Sequence, residues 1–176
     1  MKSKSIPIKK HLLQFSFLLG ISIITYLIIR YITGNYTTKN IFHKITLLIL
    51  ALSSITIGLF SYKKNNNGFI SLLEALKIGI GVTVLGGLMV TIWEIILLKV
   101  IDPDIITQLE EIQIKKIAEN SSDFTQENIE RKLAVTQKFT SPWIMILAAF
   151  IEDIIVGFFL SLIVGLLVRK KRDPFK

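Results

Sequence analysis

Cysteine is absent from this chain, and histidine occurs only twice among its 176 residues. The chain can therefore form no disulfide, no thiolate metal site and no cysteine nucleophile. His11 and His43 each lie close to lysine at the edge of an apolar block, where an interfacial role is expected. Metalloprotease, phosphate-loop and serine-hydrolase motifs are also absent, so the sequence predicts a non-enzymatic protein without metal, cofactor or catalytic residues.

Long apolar blocks dominate the remaining sequence. Hydrophobic residues make up 51% of the chain and the mean hydropathy is +0.58, above the level of an ordinary globular domain. Because a helix needs ~20 apolar residues to cross a bilayer, the blocks predict a single all-α membrane domain over 1–176, an integral bundle of four helices. The spans are expected at about 11–33, 43–62, 71–101 and 142–168.

The segment 102–141 between spans three and four has a different character, because it is polar and amphipathic. Asp102 and Pro103 form a helix start, and apolar residues recur after them at helical spacing. We expect this segment to form a polar helical hairpin outside the membrane.

Basic residues cluster on one side of the four-span arrangement. They lie in the N-terminal leader, in the loop after span two and in the C-terminal tail, whereas 102–141 carries five bases and eight acids. The positive-inside rule then places both termini in the cytoplasm and the hairpin on the extracytoplasmic side. The formal charge of +8 is thus interpreted as a topology signal, and no nucleic acid is expected as a partner.

Spans three and four each carry small residues at intervals of four, which allow two helix backbones to approach closely in lipid. The stripes are Gly79, Thr83, Gly87 and Thr91 in span three, and Ala149, Asp153, Gly157, Ser161 and Gly165 in span four. We expect the two helices to pack antiparallel, with Gly79 level with Gly165 and with Thr91 opposite Asp153.

Acids and a lysine within the same two spans, together with Arg30 near the outer end of span one, predict a buried polar cluster. The cluster comprises three acids, one hydroxyl and two candidate cations: Glu94, Glu152, Asp153, Thr91, Arg30 and Lys99. A carboxylate near the bilayer centre costs ~2.5–3.5 kcal/mol on insertion scales, so such groups pair, protonate or line a wet cavity. Two interpretations stay open, a network that fixes the helix register, which we favour, and a proton or cation pathway.

Several landmarks along the chain are similar to those of a known family. They are Gly68-Phe69 before Glu74-Ala75-Leu76-Lys77-Ile78-Gly79, then Trp93 before Ile101-Asp102-Pro103-Asp104, then Phe150-Ile151-Glu152 with Val156-Gly157. In this order they resemble the bacterial membrane family catalogued as domain of unknown function 4199, over nearly the whole chain. The matching positions are Gly68, Lys77, Gly79, Pro103, Glu152 and Gly157. Ile155 stands where members often have proline, and Asp153 adds a second acid beside Glu152.

The resemblance implies a four-span protein of a bacterial inner membrane and brings no established activity. We expect a protein that acts through helix packing and its hairpin on a membrane partner protein or on a second copy, with the lipid bilayer around it. A small transporter or a proton- or cation-coupled carrier that uses the buried acids is the alternative. A membrane enzyme comes third and requires a pocket that gathers Glu74, Lys77 or Glu152.

Overall fold

Five α-helices make up the part of the chain that the structure describes. The computed structural model describes residues 7–38, 40–119 and 142–170. Its helices are α1 (Ile8–Ile32), α2 (Ile41–Asn65), α3 (Leu72–Ile96), α4 (Asp104–Glu119) and α5 (Pro142–Val168). Four of them, α1, α2, α3 and α5, are long and apolar enough to cross a membrane. The prediction of an all-α protein with four spans is therefore confirmed.

Local sequence signals set the helix starts. Ser71 and Glu74 form a capping box: Ser71 Oγ accepts from the Glu74 N–H at 3.2 Å, and Glu74 Oε2 accepts from the Ser71 N–H at 2.8 Å. Asn40 caps α2, since its Oδ1 accepts from the His43 N–H at 2.9 Å. In the turn between α2 and α3, Gly68 has φ +81°, a left-handed conformation that favours glycine.

The helix α3 is the centre of the bundle. It packs against α1, α2 and α5, while α2 also contacts α1 and α5. Within the described residues α1 and α5 do not contact each other, so they lie at opposite corners with α2 and α3 between them. The other three long helices therefore all contact α3, so a substitution along α3 alters the packing of the whole bundle.

The residues near both chain ends lie at one end of the bundle, beside the turn between α2 and α3. His11 Nε2 lies 2.8 Å from Asn65 Nδ2, and Lys63 Nζ donates to the Val168 carbonyl at 2.8 Å. Ile70 and Lys170 exchange two backbone hydrogen bonds of 3.1 and 2.9 Å. The four helices thus run alternately up and down, as four spans require, whereas the side of the membrane that this end faces stays a prediction.

The hydrophobic core occupies one half of the bundle. We name residues 7–22, 51–86 and 157–170 the terminal half, and residues 23–38, 40–50, 87–119 and 147–156 the loop half. The core lies in the terminal half and comprises Phe15, Leu19, Ala51, Ile55, Leu59, Tyr62, Ile70, Ala75, Ile78, Val82, Val164 and Val168. In the loop half, by contrast, α2 has no buried residue over 41–50 and α5 has none over 147–156.

Large apolar side chains cover the outside of the long helices. Phe17 of α1, Ile49 of α2, Ile92 of α3 and Phe159 of α5 are each more than half exposed. Such a surface in water would be an apolar patch far beyond that of a soluble monomer. Hydrocarbon is the solvent that suits it, which agrees with the four spans.

The predicted hairpin is described only in its first arm. The helix α3 ends in a π-helical turn, Leu97–Ile101, and α4 follows as an amphipathic helix after Asp102 and Pro103. The second predicted arm falls within 120–141, outside the described residues, so the hairpin and its extracytoplasmic position stay predictions. The π-helical turn is an unforeseen detail in the span expected at 71–101.

Candidate functional site

The helices α3 and α5 meet along the two stripes of small residues. A β-carbon added at Gly79 would overlap the side chain of Ser161. A β-carbon added at Gly157 would overlap Thr83 Oγ1 and would lie 3.0 Å from the Cα atom of Ile80. The two backbones are therefore in contact, and nothing larger than hydrogen fits at either glycine without displacing its neighbours.

The register of this contact differs by one helical turn from the one expected. Gly79 lies opposite Ser161 and Gly157, while Gly165 lies opposite Ala75, so the expected pairing of Gly79 with Gly165 is wrong. Because small residues recur every four positions, shifting one helix by four residues again places small residues opposite each other. The pattern alone therefore predicts which faces meet but leaves several registers equally possible.

Asp153 lies opposite Gly87 in the observed register. A β-carbon at Gly87 would overlap the Asp153 carboxylate, so the missing side chain at Gly87 makes room for that acid. Thr83 Oγ1 donates to the Asp153 backbone carbonyl at 2.8 Å, which joins the two helices at this level. Thr91, the residue expected opposite Asp153, lies one turn further along α3 and is half-buried. The acid is thus built into the helix contact itself.

Glu152 does not share this contact. Consecutive residues of a helix point ~100° apart, so Glu152 faces away when Asp153 faces α3. Glu152 is exposed on the outside of α5 between Ile151 and Ile155, each 50% exposed. Its carboxylate still acts electrostatically on Asp153, as does that of Glu94. The three acids are therefore near one another, but Glu152 lies on the lipid-facing surface and is not buried as expected.

Glu94 lies beside the loop that joins α1 and α2. Tyr36 of this loop is half-buried, and both Glu94 and Arg30 act electrostatically on its phenol. Burial raises the pKa of Tyr36 above its usual value, the Glu94 carboxylate raises it further, and the Arg30 guanidinium opposes both. We name Arg30, Tyr36 and Glu94 the loop cluster, because it joins α1, the loop and α3.

Arg30 is 9% exposed and holds this loop against α1. Its Nη2 donates to the carbonyls of Asn35 and Thr38, and its guanidinium lies 6.0 Å from the Tyr26 ring centroid. Lys99, the other candidate cation, is exposed in the π-helical turn. The hydrogen bonds of the buried cation thus go to backbone carbonyls, which fixes the loop over the end of α3.

A second polar network joins three helices in the terminal half. Tyr62 is fully buried and its hydroxyl donates to Glu74 Oε1 at 2.8 Å, while Glu74 Oε2 accepts from Ser71 Oγ at 2.8 Å. The His11 ring packs edge-on against Tyr62, with 5.5 Å between ring centroids, next to its contact with Asn65. The Glu74 carboxylate therefore connects α2 to the N-terminal cap of α3.

The residues that the enzyme hypothesis requires are not brought together. Glu74 and Lys77 lie in the terminal half, at the start of α3. Glu152 precedes Val168, which lies at that same end, by ~24 Å along α5 at a rise of ~1.5 Å per residue. A pocket that contains all three residues is therefore ruled out by distance, whereas Glu74 and Lys77 lie together at the start of α3, and the enzyme hypothesis stays a prediction.

Tyr36 and Tyr62 lie near predicted span boundaries, where the sequence indicates only aromatic anchoring. For Tyr62 a signal existed, because Glu74 follows 12 residues later across a short turn that brings both residues to one end. For Tyr36 no local signal existed, since its neighbour Glu94 belongs to a helix that is distant in sequence. Tyr62 connects two helices through its buried hydroxyl group, whereas Tyr36 brings its half-buried phenol into the electrostatic field of Arg30 and Glu94.

A comparison with protein families gives a match over residues 14–170, to the family described as protein of unknown function DUF4199. The chain belongs to the DUF4199 family. The resemblance drawn from the sequence landmarks is thereby confirmed. A search of curated proteins gave no match, and a search of solved structures gave none.

The landmarks shared with DUF4199 fall into two physical groups. The glycines serve the backbone, because Gly79 and Gly157 form the α3–α5 contact and Gly68 adopts a left-handed φ in the turn before α3. The charged landmarks Lys77 and Glu152 are exposed on the outside of the bundle. The first group explains how the bundle closes, and the second lies on its outer surface.

Proposed function

We propose that this DUF4199 protein is a non-enzymatic protein of a bacterial inner membrane, which acts by binding a partner membrane protein or a second copy of itself. The binding surfaces would be the outer face of α5 within the bilayer and the amphipathic α4 beyond it. The bases near both chain ends favour a cytoplasmic position for the termini, and α4 would then lie on the extracytoplasmic side.

The exposed carboxylate of Glu152 is the observation that carries this proposal. It lies ~24 Å along α5 from Val168, inside a hydrocarbon layer of ~30 Å, with half-exposed isoleucines on both sides. An acid facing lipid at this depth costs less than the ~2.5–3.5 kcal/mol that insertion scales give for the helix centre, yet it remains unfavourable without a partner. A hydrogen-bond donor or a cation from a neighbouring protein would offset that cost, so a partner over this face accounts for the charge.

The tight α3–α5 contact supports binding over transport. Asp153 lies against Gly87, and Gly79 and Gly157 leave no room for a methyl group in the turns that follow toward the terminal half. A path along these acids would require α3 and α5 to separate, which would break the Thr83 hydrogen bond and the packing of both stripes. The same contact serves directly as a rigid scaffold.

The proposal is tested by photo-crosslinking in native membranes. A photoreactive amino acid replaces Ile155, which lies beside Glu152, and in a second variant it replaces Phe17, an equally lipid-facing residue of α1 that is 54% exposed. We expect a discrete protein adduct from position 155 and only lipid adducts from position 17. Mass spectrometry of the adduct then distinguishes a second copy from another protein.

A further variant tests whether formation of the adduct depends on Glu152. Glu152→Ala combined with the photoreactive residue at position 155 should reduce the yield of the adduct several-fold. Lipid adducts alone at position 155, or an adduct that Glu152→Ala leaves unchanged, would contradict the proposal.

A proton- or cation-coupled carrier is the second candidate, and the half-buried Asp153 favours it. Its carboxylate lies in a membrane span within electrostatic reach of Glu94 and Glu152. The test measures proton and cation flux in proteoliposomes with the native chain, with Asp153→Asn and Glu94→Gln together, and with Glu111→Gln on α4 as control. The carrier would be established if the native chain gave more flux than empty liposomes and if only the double variant abolished that flux. This result would displace the binding proposal.

A further inference from the structure

Exposed bases surround the bundle at the level of its chain ends. The helices α1, α2 and α3 and the residue after α5 each contribute at least one: Lys9, Lys10, Lys64, Lys77 and Arg169. We name these five residues the basic rim. Because every long helix contributes, the rim encircles the bundle and is not confined to one face.

Contacts between the helices place the rim close to one level of the membrane. Lys63 bonds the Val168 carbonyl, so Lys64 and Arg169 lie at similar depth, and the contact of His11 with Asn65 brings the start of α1 to the same end. Lys77 starts ~7.5 Å deeper, five residues into α3. A lysine side chain can extend over that distance to reach the headgroup region.

The acid at this end is already engaged. Among the described residues 7–11, 62–77 and 168–170, Glu74 is the one acid. Its two carboxylate oxygens accept from Tyr62 and from Ser71, within the network that caps α3. The rim therefore keeps a strong positive charge, directed outward.

The positive-inside rule does not by itself account for the outward direction of the rim residues. The positive-inside rule counts lysine and arginine in flanking segments and is indifferent to the direction in which they point. One base at this end, Lys63, is turned to an internal contact, because it donates to the Val168 carbonyl. The five rim residues are exposed, as is Lys170, which lies 5.6 Å from the Phe69 ring centroid.

We propose that the basic rim binds anionic phospholipids, so that negatively charged headgroups are enriched around this end of the bundle. Ammonium and guanidinium groups donate to headgroup phosphate, and lipids with a net negative charge are favoured over zwitterionic ones. The attraction acts within a Debye length of ~8 Å at physiological ionic strength. Rim side chains that reach the headgroup region lie within this distance of the lipid phosphates. The partner surface is thus the anionic leaflet itself.

The experiment uses the full chain in phosphatidylcholine vesicles that contain traces of spin-labelled phosphatidylglycerol or spin-labelled phosphatidylcholine. Electron paramagnetic resonance gives the ratio of the two association constants at the protein surface. We expect phosphatidylglycerol to be preferred roughly twofold to fivefold at low salt, as a few bases near the surface would produce. Lys64→Gln with Lys77→Gln should move the ratio toward unity.

A matched pair of lysines controls for net charge. Lys44→Gln with Lys99→Gln removes the same two charges from exposed lysines at the other end of the bundle and should leave the ratio unchanged. A second measurement on the native chain raises the salt concentration, which should reduce the preference by screening. Equal association of both lipids in the native chain, equal effects of the two double variants, or a ratio insensitive to salt would each overturn the proposal.

Discussion

The terminal half and the loop half are built from the same apolar helices, yet they are packed very differently. In the terminal half Ile55, Leu59, Ile78 and Val82 are 0% exposed. In the loop half the first ten residues of α2 contain no buried side chain, and Phe42 is 73% exposed. Hydrophobicity therefore decides only that these helices enter the membrane, since lipid tails solvate apolar side chains as well as a protein core does.

What distinguishes the halves is the kind of residue at the helix contacts. In the terminal half small residues bring α3 and α5 into backbone contact, and a capped network around Glu74 joins α2 to α3. In the loop half Leu27 and Leu97 are also buried, but Arg30 and Glu94 stand beside them and interact with the loop between α1 and α2. We infer that the terminal half provides the stability and that the loop half is free to serve contacts outside the bundle.

The largest expected effect comes from filling the α3–α5 contact. Gly157→Ala places a methyl group against Thr83 Oγ1, 3.0 Å from the Ile80 Cα and 3.2 Å from the Gly79 carbonyl oxygen. Backbone atoms cannot move aside, so we expect the free energy of unfolding to fall by about 2–3 kcal/mol. Unfolding of the purified protein in mixed detergent micelles, followed by circular dichroism, measures the change.

A glycine that faces a flexible side chain is the control for this substitution. The three atoms nearest to a β-carbon at Gly20 all belong to the Met89 side chain: Sδ and Cε, at 2.9 and 3.2 Å, can move by a change of rotamer, and Cβ, at 3.1 Å, needs a shift of only a few tenths of an ångström. We expect a loss below about 1 kcal/mol. Equal losses at the two positions would show that backbone contact is not what holds the terminal half together.

Removing one hydroxyl from each half compares their polar networks. Tyr62→Phe deletes the donor to Glu74 in the fully buried network and should cost about 1.5–2 kcal/mol, as for a hydrogen bond to a charged group. Tyr26→Phe deletes the contact of the Tyr26 hydroxyl with His43 at 3.2 Å, which is half-buried in the loop half. It should lower the free energy of unfolding by about 0.5–1 kcal/mol. A larger cost for Tyr26 in the same unfolding assay would reverse the assignment of stability to the terminal half.

Loosening the loop should leave the terminal half intact. Arg30→Gln removes the guanidinium that bonds the Asn35 and Thr38 carbonyls, so the amides of 33–38 should exchange hydrogen about tenfold faster. Hydrogen–deuterium exchange with mass spectrometry measures this rate. Lys99→Gln is the control, and the amides of the turn at 66–71 should exchange at the native rate in both variants. Faster exchange at 66–71 would show that the halves are coupled.

The smallest effect concerns the ionisation of Tyr36. Its raised pKa means that the folded protein holds the phenolic proton more tightly than the unfolded chain does. The resulting stability is present below the ordinary tyrosine pKa and is lost as pH rises through the raised folded value. Glu94→Gln should lower the pKa of Tyr36, because it removes a neighbouring negative charge. Alkaline absorbance titration measures the shift of the Tyr36 pKa. The Tyr36 signal is the difference between the titration of each protein and that of the same protein with Tyr36→Phe. Glu111→Gln on α4 is the control.

The sequence predicts the four spans and the α3–α5 faces because both are encoded by local periodicity. Blocks of apolar residues define the spans, and small residues at intervals of four define the contact. The register was not predictable. A shift of α5 by four residues moves the partner of Gly79 from Gly165 to Ser161, and the contacting residues are small in either case. The exposure of Glu152 follows from the helical angle once Asp153 is known to face α3.

The loop cluster could not be predicted for a different reason. A buried arginine in a membrane protein can pair with an acid or with free carbonyls, and the choice depends on where the loop backbone lies. The carbonyls of Asn35 and Thr38 come within reach of Arg30 only because Gly34 adopts φ +68° and turns the chain back after α1. That turn is a property of the folded loop and leaves no periodic signal in the sequence.

The backbone bridge between Ile70 and Lys170 has a consequence for biosynthesis. During translation α3 enters the bilayer with its glycine stripe uncovered, and its partner α5 emerges from the ribosome only after the whole polar segment has been made. The bridge joins the α2–α3 turn to a residue close to the end of the chain. This end of the bundle consequently closes only after α5 has been made, and a nascent chain stopped before α5 would leave Thr83 and Gly87 open to lipid or to a chaperone.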